Sequence, residues 1–205
     1  MSEPVRKYLT TDEVERVLVC TTDPTDKLLI QMGLSLGCRV SEIVNIKLIN
    51  IDGRVIQIYD EKKDEPRQCV IDSDTQAVLD VYLKEHYVHR RGVRKDMALL
   101  FDFSEKTANR KIKAAFARAK VSKDVPWRWH SVRHTYVRRV LDQMQDRGIQ
   151  FICEQTGDTP QTILTYYGVP SIDDRLKVAD EFKIISSNVL HDSSIKKNMN
   201  GGSEQ

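Results

Sequence analysis

The sequence predicts a mainly helical α+β domain carrying one small antiparallel β-hairpin. Three observations lead there. Most apolar-periodic segments have helical spacing with a stop or start signal at an end, and one pair of β-prone runs brackets a polar turn. In addition, no linker, repeat or low-complexity block interrupts the 205 residues. A chain of this length buries a sizeable core without disulfides or a structural metal.

Thr10-Thr11-Asp12-Glu13 fits a capping box, with Val14, Val17 and Leu18 at helical spacing behind it. Asp26 to Leu36 reads as a buried helix ended at Gly37, since a glycine just past a helix takes the left-handed turn at no steric cost. Ser41 to Lys47 is a short helix with Val40, Ile43, Val44 and Ile46 inward. Arg54–Tyr59 and Gln68–Asp72 are the β-prone runs, separated by polar Asp60–Pro66 and preceded by the turn Asp52-Gly53. Ser73-Asp74-Thr75-Gln76 opens a capped helix reaching Tyr87. Glu105–Lys120 is a basic helix that buries Ala108, Ile112, Ala115, Phe116 and Ala119. Helices are expected over Ser131–Gln145, Gln150–Thr156, Pro160–Tyr166 and Ile172–Ile184. The domain is read as residues 1–185, and polar 186–205, ending Asn-Gly-Gly-Ser-Glu-Gln, as a frayed tail.

The formal charge of +2, with 30% of residues charged, announces no particular partner. Its distribution does. Lys106 to Val140 holds eleven basic residues against Asp124 alone, a net +10, which leaves −8 for the rest. A smaller basic knot, His89-Arg90-Arg91-Gly92-Val93-Arg94-Lys95, lies upstream. Solvated helix faces usually mix signs for i,i+4 pairing, so this excess reads as a phosphate-backbone footprint. Arg90, Arg91, Lys106, Arg110, Lys111, Lys113 and Arg128 are its DNA-binding candidates. No apolar run approaches the roughly 20 residues that a bilayer needs, and residues 1–16 contain no apolar h-region, so secretion is not expected. Cys20, Cys38, Cys69 and Cys153 lack metal or redox spacing, so reduced thiols and a cytoplasmic, nucleoid-associated setting are expected.

Three places hold chemistry. Arg39, in Gly37-Cys38-Arg39-Val40-Ser41-Glu42, sits among apolar residues and needs an anion, either an internal carboxylate such as Glu42 or a phosphate. In Trp127-Arg128-Trp129-His130-Ser131-Val132-Arg133-His134, His130 and Arg133 can converge near a helix N-terminus, where phosphate binding is favoured. His130 and His134 at i,i+4 also suit zinc, but no third ligand is evident. At least one tryptophan is expected in the core. Third, Tyr166-Tyr167 follows Thr156-Gly157-Asp158, and a tyrosine beside phosphate-binding side chains can act as a covalent nucleophile.

The order Arg…Lys…His-x-x-Arg…Gly-x…Tyr resembles the tyrosine recombinase (phage integrase) family, from about Leu9 to Ser171. His130-Ser131-Val132-Arg133-His134-Thr135 is close to that family's His-x-Leu-Arg-His-Thr signature, and Gly37–Glu42 resembles its first-arginine motif. The resemblance implies the family's helical catalytic fold and a metal-free, cofactor-free reaction on double-stranded DNA. It also implies assembly of several protomers on that DNA, with Ile172–Ile184 making the contacts between them. Arg39 and Arg133 would hold the scissile phosphate, and His130 would add a hydrogen bond or manage the nucleophile's proton. A hairpin lysine, Lys62 or its neighbour Lys63, would protonate the leaving 5′ oxygen. Glu42 and His134 would orient the arginine and the histidine. The family's tyrosine falls nine residues after the one following its glycine, and from Asp158 that position is Tyr167. The trailing Gly-Val-Pro-Ser agrees, which favours Tyr167 over Tyr166.

Two departures stand out. Where the family usually has Gly-His, this chain has Gly157-Asp158, and an ionised aspartate accepts hydrogen bonds and repels phosphate. Either it turns away to orient a neighbouring base, or it slows the enzyme. Secondly, only eight residues precede Leu9, where most relatives carry a core-binding domain of about 100 residues. The sequence is therefore read either as the catalytic domain of a longer protein or as a minimal recombinase that grips DNA with one domain. Its alternatives are a type IB topoisomerase-like relaxing enzyme and a catalytically weakened DNA-binding regulator.

Overall fold

The computed structural model describes residues 7–60, 63–87, 98–123, 127–144 and 147–167. The expected helix Ile172–Ile184, the tail and the basic knot with Arg90 and Arg91 lie outside them.

Helix α1 (Thr11–Cys20) opens on its capping box. The Thr10 hydroxyl accepts from the Glu13 amide at 3.3 Å, and the Glu13 carboxylate accepts from the Thr10 amide at 2.8 Å. Two otherwise orphaned donors are thereby satisfied. Helix α2 (Pro24–Leu36) starts before the predicted Asp26. Asp23 caps it by accepting from the Asp26 amide at 2.8 Å, and the fixed φ of Pro24 suits a first helical turn. Leu28, Leu29, Ile30, Met32 and Leu36 are all buried, because α2 runs through the middle of the domain against α4 (Ser73–Tyr87), α5 (Glu105–Arg118) and α6 (Trp129–Met144). Gly37 ends it at φ +59°, where a Cβ would lie 2.1 Å from the Tyr136 ring. Both the left-handed turn and the ring demand glycine there.

After the short helix α3 (Val40–Val44), three antiparallel strands pair in the order β1 (Ile51–Asp52), β2 (Val55–Asp60) and β3 (Glu65–Val70). Two residues are too few to show alternation, so β1 left no sequence signal. The hairpin is also longer at its tip than predicted. Asp60 pairs with Glu65 and Tyr59 with Pro66, so both enter the strands. Proline is tolerated because β3 is an edge strand. This extension places Asp60 on the inward face with Ile56 and Ile58, and Arg67 on the inward side of β3 with Cys69.

α6 begins at Trp129, two residues before the predicted start. Trp129 is the core tryptophan, buried with its indole N–H donating to the Cys38 carbonyl at 2.8 Å. α7 (Arg147–Thr156) lies against the free edge of β3, where the Gln155 side chain bonds both the N–H and the C=O of Val70 at 2.7 Å. α8 (Pro160–Tyr167) follows after three residues and packs on α7 around Ile152 and Ile163. No described helix is long and apolar enough to cross a membrane.

Candidate active site

A cleft of about 640 Å³ is lined by Lys7, Arg39, Arg128, His130, Arg133 and Tyr167, together with His134, Asp158 and Tyr166. It gathers residues that are up to 160 positions apart in the chain, from Lys7 to Tyr167. The corner after α2 supplies Arg39, the first turns of α6 supply His130, Arg133 and His134, and the last turn of α8 supplies Tyr167.

Arg133 is almost wholly buried and fixed from two directions. Its guanidinium donates to the Gly37 carbonyl at 2.8 Å and to the Thr156 carbonyl at 3.1 Å. The free C-terminal carbonyls of α2 and α7 thus hold a cation, as helix ends favour. Arg39 is the more open of the two. Glu42, one turn into α3, accepts from the Arg39 amide at 2.6 Å and from its Nη1 at 2.9 Å. Behind Glu42 lies Arg67, whose guanidinium grips the same carboxylate with two bonds at 3.0 and 2.8 Å. Asp60 stands 3.6 Å from both Arg39 and Arg67. Burial would lower the Arg67 pKa, but the Glu42 hydrogen bonds and charge raise it overall.

Arg67 and Asp60 were not singled out from sequence. An arginine at an inward position of a strand was the available signal, and it needed the strand's true start to be read. Because Arg67 holds Glu42, which holds Arg39, its role is to position them. Arg67→Ala leaves Glu42 and Asp60 buried against one cation fewer and is expected to cost about 3 kcal/mol, measurable by urea unfolding.

The nucleophile candidate is set by His134. The Tyr167 hydroxyl hydrogen-bonds His134 Nδ1, with ring centroids 5.1 Å apart. The resemblance assigned His134 a supporting role on the arginine or histidine; here it meets the tyrosine itself, and the His130 ring packs edge-on against it at 4.3 Å. Burial, then the neighbouring His130, Lys7 and Arg133 charges, pull the His134 pKa down to about 4. Burial also pushes the Tyr167 hydroxyl well above its usual range. His130, more open, is lowered by desolvation and then by Arg133. At neutral pH His134 is thus an uncharged imidazole facing a protonated phenol. An unfolded histidine takes its proton near pH 6.5, the folded one only near 4. Stability is therefore full above pH 6.5 and falls as pH drops toward 4, by about 2–3 kcal/mol. His134→Gln should flatten that slope in thermal unfolding between pH 4 and 7.

Asp158 faces into the cleft. One carboxylate oxygen lies 2.5 Å from Arg133 Nη2 and the other 3.4 Å from Arg39 Nη2. Gly157 turns the chain to allow this at φ +72°, where a Cβ would come within 2.7 Å of Asp60 Oδ2. Lys63, in the hairpin turn, lines an adjoining recess with Gly157 and Asp158, while Lys62 lies outside the described residues.

Of the basic candidates, Lys106, Arg110 and Lys113 share the solvent side of α5 and border one surface recess, and Arg128 borders the main cleft. Lys111 instead turns to Asp26, with its ammonium 5.5 Å from the Phe103 ring. Among the described residues, no group of three His, Cys, Asp or Glu side chains could hold a metal.

The phage integrase family model matches residues 7–156. Over 151 residues, 73% of this chain, the sequence is 29% identical to the tyrosine recombinase XerA of Saccharolobus solfataricus. The chain spans 46% of that protein's length. A crystal structure of XerA recombinase superposes with a TM-score of 0.71 at 21% identity, covering 90% of this chain and 68% of that one. XerH site-specific recombinase, in a post-cleavage complex with palindromic difH substrate, gives 0.67 at 16% identity over 88% of this chain and 54% of that one. Lambda integrase residues 75–356 bound to DNA give 0.59 at 17% identity, over 84% and 66%.

Proposed function

Because this chain belongs to the phage integrase family, the tyrosine recombinases, we propose that it cleaves and rejoins DNA strands through a 3′-phosphotyrosyl intermediate on Tyr167. The observation that carries the reading is the Tyr167 hydroxyl, hydrogen-bonded to His134, in one cleft with Arg39 and Arg133.

Arg39 and Arg133 hold the two non-bridging oxygens of the scissile phosphate, and their fixed charge favours the pentacoordinate transition state over the singly charged diester. As the Tyr167 oxygen bonds to phosphorus, its proton passes to Nδ1 of His134, whose ring is uncharged at neutral pH and in this step carries its own proton on Nε2. The bond from phosphorus to the 5′ oxygen breaks, and that oxygen takes a proton from the hairpin lysine, Lys62 or Lys63. His130 donates to a phosphate oxygen. Rejoining runs in reverse: a 5′ hydroxyl, from the same or a partner strand, gives its proton to the lysine and attacks, and His134 returns its proton to the departing phenol. The phosphotyrosyl linkage conserves the energy of the broken phosphodiester, so rejoining needs no nucleotide.

Basic residues on α5 and Arg128 supply the sequence-independent grip on duplex DNA, and self-association on that DNA follows from the family reading. Lys106→Ala with Lys113→Ala is expected to weaken duplex binding and to reduce the slope of log K against log salt by about 2, measured by fluorescence anisotropy. The reaction is tested by incubating the protein with nicked suicide duplexes in EDTA. A covalent protein–DNA adduct supports the proposal, and relaxation of arbitrary supercoiled plasmid would favour a topoisomerase-like enzyme. One observation, the Asp158 carboxylate on both arginines, favours a weakened DNA-binding regulator; tight binding with no adduct would select it.

A further inference from the structure

We propose that Asp158 is an internal competitor for the scissile phosphate: it occupies the clamp formed by Arg39 and Arg133 until docked DNA displaces it. The inference rests on the strand-cleavage reading above for what displaces Asp158, but not for the contacts themselves.

The carboxylate spans the clamp as a phosphodiester would. Each carries one negative charge and offers two oxygens, and here one oxygen faces each arginine, at 2.5 Å on Arg133 and 3.4 Å on Arg39. Arg133 is nearly sealed by protein, so a free clamp would leave a buried cation facing an empty site. Asp158 neutralises it and holds both guanidiniums in one orientation. The same carboxylate would stand against an incoming phosphate, because two anions cannot share one pair of cations at this spacing.

Its mounting suits displacement. Asp158 sits in the three-residue connection between α7 and α8, with Gly157 at φ +72° before it and Pro160 opening α8 after it. Among the described residues, its own amide is held by the Thr156 hydroxyl at 3.2 Å. The longer contact is on the Arg39 side, which is also the more exposed side of the clamp, so an anion entering from the cleft meets the weaker contact first. Asp158 is therefore a positioning residue when DNA is absent and an obstacle that docking must overcome. It makes cleavage conditional on the binding energy of a fully seated duplex.

Thermal unfolding of the full chain in sodium sulfate, against sodium chloride at matched ionic strength, reads clamp occupancy without any reaction. Wild type is expected to show little sulfate-specific rise in Tm. Asp158→Asn, and Asp158→Ser as a smaller replacement, are expected to start lower and to rise with sulfate. Their apparent sulfate affinity should be about tenfold tighter, the effect of removing one competing anion. On nicked suicide duplexes at subsaturating concentration, Asp158→Asn should form adduct about tenfold faster than wild type. An equal sulfate response in wild type and both variants would overturn the proposal. So would slower adduct formation by a folded Asp158→Asn, because the carboxylate would then be needed during the reaction. A sulfate gain with no adduct from any protein would uphold the competitor and reject strand cleavage instead.

Discussion

Arg133→Ala is expected to reduce adduct formation by at least about 10³-fold and to destabilise the domain by about 3–5 kcal/mol. The two losses have separate physical causes. The catalytic loss comes from removing a cation, preoriented by the Gly37 and Thr156 carbonyls, from the position where negative charge develops in the proposed reaction. The structural loss arises because the Gly37 and Thr156 carbonyls, which end α2 and α7, lose a buried donor, and Asp158 loses its nearer partner. Arg133→Lys separates the two. It keeps a charge but cannot reach both carbonyls and a phosphate with one planar fork, so stability should largely return while cleavage stays about 10²-fold or more down. Adduct kinetics on suicide duplexes, set beside urea unfolding of both variants, measure the two losses independently.

Tyr167→Phe is expected to abolish the adduct altogether while leaving duplex affinity within about twofold, because one hydroxyl contributes nothing to phosphate-backbone contacts. In the proposed reaction this phenol is the nucleophile, and no described neighbour offers a hydroxyl in the same geometry. Tyr166 borders the same cleft, but the residue is 71% exposed, and the hydroxyl that meets His134 is that of Tyr167. Tyr166→Phe should therefore retain adduct formation. Since His134 titrates near pH 4, the acid limb of the wild-type cleavage rate should lie well below pH 6, and the rate should be flat from there to neutrality.

The helices were legible because each carries its own punctuation. Thr10 with Glu13, Asp23 before Pro24 and the glycine at 37 are local signals, and local signals survive without tertiary context. The candidate residues that the fold gathers into one cleft were marked locally too: Arg39, His130 and Arg133 by neighbours within a few positions, and Tyr167 by its spacing from Asp158 and the Gly-Val-Pro-Ser that follows. What stayed hidden depends on parity and direction. The hairpin was read as ending at Tyr59 and resuming at Gln68, which consigned Asp60 and Arg67 to a polar turn. One more residue of pairing beyond Tyr59, with strand β3 running from Glu65, turns both inward and builds the support under Arg39. Asp158 was visible as a departure, but its direction was not. A glycine at positive φ and the packing of α8 on α7 aim it at the arginines, and neither can be read from residue identities. Likewise, the one-turn spacing of His130 and His134 leaves open which of them meets a tyrosine arriving from another helix.

The most direct measurement is to trap the protein on a nicked suicide duplex in EDTA, digest the adduct with protease and nuclease, and identify the modified peptide by mass spectrometry. The account predicts a single nucleotide remnant joined through its 3′ phosphate to Tyr167, absent from Tyr167→Phe, with a free 5′ hydroxyl on the released strand. A remnant on Tyr166 or any other residue, a 5′-phosphate linkage, or an adduct that persists in Tyr167→Phe would contradict it.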